Sequence, residues 1–306
     1  MIIGHQRQLK FLEEILQSKK VPQSYFFVGP EGVGKFTIAK LFAESLIAGK
    51  QKIDCEHLQN QSKESNNQDI EILTPEIVEK KGITRVKNFE TKTVRRAQKN
   101  LFLFPAMGKY RVLIIDEAQL LNEISQNSLL KFLEEPNKTA IIILVAKQEE
   151  KILGTIKSRC QRIGFNLVGL DEIGKFLEKA NVATPLKKEI TLYSMGRPSE
   201  AVTLLKEQNL LKERKQHIIE LKKMMTMSVA EKIFLAEQYS KNLPKTLKKI
   251  ELWIWFLRVR AFGEMQDERK LRKYYQVITD LEQSLRKLEN NSFNSRIILE
   301  NLFLNL

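Results

Sequence analysis

A seven-residue stretch, Gly29-Pro30-Glu31-Gly32-Val33-Gly34-Lys35, constrains this chain more than any other. Before it, Ser24 to Val28 is a short apolar run of strand length. After it, Thr37 to Ala48 places Ile38, Leu41, Phe42, Ser45 and Leu46 three and four apart, the spacing of one helix face. Strand, glycine loop and helix in succession form the setting in which backbone amides turn inward and cradle phosphate oxygens. The helix N-terminus there favours negative charge, and a lysine ammonium reaches the terminal phosphates. The pattern breaks one position later, where Phe36 replaces the Ser or Thr hydroxyl that would hold Mg²⁺. Thr37 is a poor substitute, because it lies about 100° further round the helix axis. Two readings stay open: a degenerate site that binds ATP or ADP weakly without hydrolysis, or a loop kept for packing.

A second apolar run, Val112 to Ile115, ends in Asp116-Glu117. In a nucleotide site the first carboxylate would position Mg²⁺ and the second would orient an attacking water. The candidate nucleotide-binding set is therefore Gly29, Gly32, Gly34, Lys35, Thr37, Asp116 and Glu117. Arg111–Ile115 and Ile141–Val145 read as buried strands, and Leu9, Leu12, Ile15 and Leu16 as an amphipathic helix. Strands alternating with helices predict a parallel sheet covered on both faces. After about residue 165 the β-type runs stop. Residues 170 to 180 and 187 to 205 read as two or three short helices punctuated by Pro185 and Gly196 to Pro198, and from about 208 the pattern is helical with one break at Asn242 to Pro244. The division expected is an α/β domain over 1–165, a small helical lid over 166–206, and a helical domain over 207–306.

With 306 residues the chain suits two or three domains of about 100 to 150 residues each. No run approaches the roughly 20 apolar residues of a membrane helix, and Met1-Ile2-Ile3 leads straight into charged sequence without the features of a secretory signal. A cytoplasmic location is expected. Two cysteines, Cys55 and Cys160, offer neither a disulfide framework nor a metal quartet. The net charge of +14 suits a polyanionic partner. Residues 206–306 hold 20 Lys and Arg against 13 Asp and Glu, so half of that excess lies there and half upstream. A polar stretch over 54–68 reads as an exposed loop, and Thr84 to Asn100 as a basic, helix-compatible stretch carrying Arg85, Lys87, Lys92, Arg95, Arg96 and Lys99.

Two further stretches are specific. Ser125-Gln126-Asn127-Ser128-Leu129-Leu130-Lys131-Phe132-Leu133-Glu134-Glu135-Pro136 and Thr155-Ile156-Lys157-Ser158-Arg159-Cys160-Gln161 follow the loop and the carboxylates in order. Together they make residues 1 to about 205 resemble subunits of the bacterial DNA polymerase III clamp loader, members of the AAA+ family. The resemblance implies an α/β AAA+ P-loop domain with a parallel sheet, then a small helical lid and an all-α C-terminal collar domain for ring assembly. It implies that Arg159 acts as an arginine finger in trans, since a permanently charged, forked guanidinium can stabilise charge on a neighbour's phosphoryl group. The basic helix would face primed DNA, with Arg95, Arg96 and Lys99 as candidate phosphate contacts.

Departures from the family pattern narrow the reading. The polar sensor of hydrolysing relatives falls on Ala146 or Lys147, and their second sensor arginine on Ser199, with Arg197 nearby. Where many relatives carry four zinc-binding cysteines, Cys55 and His57 alone leave a tetrahedral site two ligands short, so zinc is not expected. The resemblance thus implies a polymerase-holoenzyme subunit that does not hydrolyse ATP itself and requires no cofactor. Its partners would be gamma/tau-like ATPase subunits, a delta-like subunit and primed DNA, with the sliding clamp reached indirectly and no membrane involved. The alternatives are a hydrolysing gamma/tau-like subunit, against which Phe36 counts, and an independent P-loop kinase or remodelling ATPase, against which the two specific stretches count.

Overall fold

The computed structural model describes residues 2–18, 20–53, 67–80, 83–135, 137–264, 266–289 and 294–306. The chain divides into two compact units, Met1–Asn181 with Gly196–Ser199, and Val182–Met195 with Glu200–Leu306. The segment expected as a lid, 166–206, contributes residues to both.

The first unit is built on β1 (Ser24–Val28), β2 (Ile70–Leu73), β5 (Arg111–Ile115), β6 (Ala140–Ala146) and β7 (Gln161–Gly164), in the spatial order β2-β5-β6-β1-β7. All neighbours run parallel. A separate antiparallel hairpin pairs β3 (Ile77–Lys80) with β4 (Ile83–Val86). Because successive side chains in a strand point to opposite faces, each apolar strand feeds two cores. Tyr25 and Phe27 of β1 and Ile141, Ile143 and Val145 of β6 pack on one face with α1 (Gln6–Gln17) and α2 (Lys35–Ile47). Phe26, Val28, Ile142, Leu144 and Ala146 pack on the other with α3 (Thr91–Leu101) and α4 (Glu123–Glu134). Burial on both faces is why these strands read as unbroken apolar runs. The unit continues through α5 (Gly154–Lys157) and α6 (Leu170–Lys179).

Three expectations need correction. The basic stretch is helical only from Thr91; Ile83–Val86 pairs as a strand, so Arg85 and Lys87 lie outside the helix. The sheet contains β2 and β7 in addition to the three strands expected; both are short, and β7 reads Gln-Arg-Ile-Gly with only Ile163 buried, which leaves no apolar run to detect. Helix α2 starts at Lys35 and is buried nearly all round, including Ala39, Lys40, Ala43 and Ile47, instead of along one face.

The second unit is helical: α7 (Thr184–Tyr193), most of α8 (Pro198–Lys206), α9 (Gln208–Met224), α10 (Val229–Ser240), α11 (Leu243–Gly263), α12 (Glu268–Glu289) and α13 (Ser295–Asn305). Its core centres on Trp253 and Phe303, both fully buried, with Tyr239 edge-on to Phe303 at 5.4 Å between ring centroids. Burying an indole N–H without an acceptor would cost about 1 to 3 kcal/mol, and Trp253 Nε1 donates to the His217 carbonyl at 2.8 Å. The Asn242–Pro244 break is a helix start: Asn242 Oδ1 accepts from Lys245 N at 3.3 Å, and proline occupies the first turn, where its missing N–H costs nothing. A second start is a capping box of Ser228 and Glu231. Among the described residues, no helix is long and apolar enough to cross a membrane.

Candidate functional site

Strand β1 lies inside the sheet, so the loop that leaves its C-terminal end emerges beside β6 and β7. Gly29 has φ +151°, and a Cβ there would stand 2.1 Å from the Phe165 carbonyl oxygen. Gly32, at φ +77°, would place its Cβ 2.5 Å from Ser199 Oγ. The glycines are thus demanded twice, by backbone conformation and by close approach of neighbouring chain. Ser199 N donates to the Gly32 carbonyl at 3.1 Å, which seats the 196–199 segment, including Arg197 and Ser199, against the loop. On the other side, Val33 is buried and its carbonyl lies 2.9 Å from His5 Nε2. The His5 ring stands edge-on to Phe165, and burial holds its pKa below the ordinary value.

Gly34 caps α2 at φ +101°, and Lys35 opens the helix. Lys35 is only 7% exposed, and its ammonium donates to the Gly29 carbonyl at 2.8 Å and the Pro30 carbonyl at 2.6 Å. Burial pulls its pKa below the ordinary lysine value, against the opposing pull of Glu117, Asp116 and Glu31. Phe36 packs against the core cluster that holds α1 and α2, so the position after the lysine faces apolar neighbours. Thr37 follows within the first turn of α2.

The two carboxylates stand at the end of β5. Asp116 is anchored through its own N–H to the Leu73 carbonyl at 2.9 Å, and its side chain accepts from Glu117 N at 3.0 Å. Burial, with the adjacent Glu117 charge, pushes Asp116 up to about 6. Glu117 takes the left-handed conformation, φ +52°, and its carboxylate is held from two directions. Gln119 Nε2 donates to Glu117 Oε2 at 2.5 Å, and the Lys147 ammonium lies 3.3 Å from the same oxygen. Lys147 also reaches Glu31 of the loop at 3.4 Å, while its backbone N–H donates to Gln119 Oε1 at 3.1 Å. Burial alone would lower the Lys147 pKa, but Glu117 and Glu31 together hold it above the ordinary value. Of the two sensor positions considered, Ala146 is buried in the second core, and Lys147 is the residue that meets the site.

Arg159 stands elsewhere on this unit. Asn122 caps α4 by accepting from Ser125 N at 2.8 Å. Along that helix Ser125, Gln126, Leu129, Phe132 and Leu133 are buried. The Gln126 amide donates to the Leu121 and Lys151 carbonyls at 3.1 and 2.9 Å, and its oxygen accepts from Leu153 N at 2.9 Å. One buried side chain thereby fixes the segment leading into α5. Just past α5, the exposed Arg159 donates to the Thr155 carbonyl at 3.0 Å and pairs with Glu134 at 3.1 Å. Cys160 beside it packs against the second core, and burial pushes its thiol up to about 12, which keeps it a neutral packing group.

On α3, Val94, Ala97 and Leu101 face the core, while Arg95, Arg96 and Lys99 are exposed. The turn after this helix is held by Asp69, fully buried, which accepts from the N–H groups of Ala106, Met107 and Gly108 at 2.6, 2.8 and 2.9 Å. Burial opposes its charge, but these three donors and Arg111 hold its carboxyl below the usual range. Among the described residues no three His, Cys, Asp or Glu side chains converge as metal ligands; Cys55 and His57 lie outside the described residues. The loop, the carboxylates and Lys147 are thus brought together, whereas Arg159 and the α3 cations are placed separately. Glu31, Gln119, Gln126 and Glu134 were not singled out for a role in the sequence, because polar residues next to motifs carry no periodic signal.

A family model described as DNA polymerase III, delta subunit, matches residues 4–168, just over half of the chain. Among curated proteins, the chain is 29% identical over 263 residues to the DNA polymerase III gamma subunit of Buchnera aphidicola (Schizaphis graminum), covering 81% of this chain and 70% of that protein. It is 30% identical over 164 residues to the delta' subunit of Bacillus subtilis, covering 52% of this chain and 46% of that protein. It is 27% identical over 256 residues to the delta' subunit of Pseudomonas aeruginosa, covering 81% and 74%. The chain thus spans less than half the length of one of these relatives and about seven-tenths of the other two.

Proposed function

The chain belongs to the DNA polymerase III clamp-loader family whose model covers residues 4–168, and from that premise we propose that it is a delta'-like subunit: it does not hydrolyse ATP, and it lends Arg159 to the nucleotide site of a neighbouring ATPase subunit. The observation that carries this reading is the state of Glu117. A carboxylate that orients a water must have a free lone pair aimed at it. Here Gln119 and the Lys147 ammonium both hold Glu117 Oε2, so internal partners fix the orientation of the carboxylate and only its other oxygen remains for a water.

The residues present also do not fit Mg²⁺. The hydroxyl position after Lys35 is Phe36, packed against the core, which leaves Asp116 without the hydroxyl that would share a metal with it.

Arg159 supports the second half of the proposal. Its guanidinium is exposed, set by the short helix that Gln126 anchors, and restrained among the described residues by the Thr155 carbonyl, the Ser158 hydroxyl at 3.5 Å and the surface carboxylate of Glu134. An exposed ion pair of this kind is worth about 0 to 1 kcal/mol, so the guanidinium can exchange Glu134 for a phosphoryl oxygen at little cost. The exposed Arg95, Arg96 and Lys99 suit backbone contacts to primed DNA, and the helical second unit suits ring assembly. A gamma/tau-like hydrolysing subunit is the second reading, favoured by the intact loop through Lys35 and by the similarity to a gamma subunit.

Steady-state ATP hydrolysis by the isolated chain separates the two. Turnover below about 0.01 per second is expected, and about 1 per second or more, the range of working phosphoryl-transfer enzymes, would sink the scaffold reading.

A further inference from the structure

The misfit for Mg²⁺ raises the question of what balances a bound polyphosphate in this loop. A nucleoside di- or triphosphate brings three to four negative charges, and metal-dependent loops share them between the lysine and a cation held by a hydroxyl and a carboxylate. Here the loop faces a second ammonium. Lys147 follows β6, lies 3.4 Å from Glu31 at the loop's third position and 3.3 Å from Glu117, and stands close enough to Lys35 for the two charges to repel. Lys35 comes from the helix that follows the loop and Lys147 from the strand next to β1, so the two ammoniums approach the loop from different elements.

We propose that Lys147 is the internal cation of this site, standing in for the divalent metal, so that the loop binds a nucleoside polyphosphate, ADP or ATP, without Mg²⁺. This deepens the non-hydrolysing reading and rests on it. Two features of the side chain suit the role. An ammonium has three donors, so it can keep Glu117 and still offer a proton to a phosphate oxygen. Lys147 is also partly exposed, at 38% of its side chain, and its second partner Glu31 is 67% exposed, so that contact can open when an anion enters. A metal would find no hydroxyl at Phe36, so that of the two groups that usually hold it only the Asp116 carboxylate stands here. A lysine cannot do a metal's chemical work, because it neither bridges two phosphate oxygens rigidly nor acidifies a water. Binding without turnover is the consequence.

The test is calorimetric titration of ADP into the full chain, once in EDTA and once in millimolar Mg²⁺. ADP is a product, so the measurement does not depend on Arg159 reaching a neighbour, and failure here leaves the arginine assignment standing. The expected result is a dissociation constant that agrees within about threefold between the two buffers, with Lys147→Ala weakening binding in EDTA by about tenfold or more and Lys147→Arg retaining it within about threefold. Thermal melting of both variants checks that they fold. The proposal is overturned if wild-type binding is tenfold tighter with Mg²⁺, if Lys147→Ala binds in EDTA as tightly as wild type, or if millimolar ADP gives no heat in either buffer.

Discussion

Two corners of the same α/β unit treat charge in opposite ways. At the loop, the charges of Lys35, Lys147 and Glu117 already have internal partners: Lys35 is turned onto loop carbonyls, Lys147 onto Glu31 and Glu117, and Glu117 onto Gln119. At the other corner, Arg159 is exposed and among the described residues has one ionic partner, Glu134, itself at the surface. A site whose charges are mutually satisfied has little left to direct at a reacting atom, whereas a lightly restrained guanidinium at the surface is free to be used elsewhere. The comparison teaches that a motif in the sequence and the charge balance around it are separate properties: the loop's motif stands among internally paired charges, and Arg159 stands at the surface.

The sharpest way to break this contrast is Arg159→Ala in a reconstituted assembly with ATPase partners. Hydrolysis is expected to fall about a thousandfold, the worth of an arginine finger, with melting temperature unchanged; activity within twofold of wild type would remove the assignment. Next comes Gly29→Ala at the loop, which sets a Cβ on the Phe165 carbonyl and should cost about 3 kcal/mol or more in denaturant unfolding. A loss under about 1 kcal/mol would mean the loop is looser than its contacts imply.

Asp69 calibrates both corners, as a carboxylate whose partners are all built in. Asp69→Asn is expected to cost about 2 kcal/mol at neutral pH, since one oxygen that accepts backbone N–H bonds becomes a donor. Its folded-state pKa is depressed, so the stabilisation is present above the ordinary carboxylate value of about 4 and is lost as pH falls through the folded value. The wild-type advantage should therefore hold from pH 7 to about 5 and shrink below about 4; an advantage that grew on acidification would reverse the assignment. Smallest is Glu134→Gln beside Arg159, expected to change stability by less than about 1 kcal/mol, because the pair is exposed. A larger loss by thermal melting would show that Arg159 is locked in place and unready to reach a neighbour.

Much of the first unit was legible in order of residues. Apart from Ser24 and the half-buried Arg111 at their starts, the strands at Ser24–Val28, Arg111–Ile115 and Ala140–Ala146 are apolar and buried on both faces, so the run announces itself. The short strands Ile70–Leu73 and Gln161–Gly164 escaped, because an edge strand buries few side chains and is held by backbone pairing that any sequence can supply. The end of the hairpin, Thr84 to Val86, was read as the start of a helix-compatible stretch for a related reason: lysines and arginines at mixed spacing satisfy either period.

At the candidate site, the loop glycines, Lys35, Asp116 and Glu117 were singled out from motif order, because backbone geometry and phosphate chemistry admit few residue types at those positions, whereas Arg159 was singled out only through the family resemblance. What remained for the tertiary structure was who neutralises whom. Lys147 stands 30 positions from Glu117 and 116 from Glu31, and nothing in the chain order announces that the three meet. They do so because parallel pairing sets the ends of β1, β5 and β6 side by side. Coulomb energy depends on distance through space, so residue types were settled by sequence and their charge balance by the sheet.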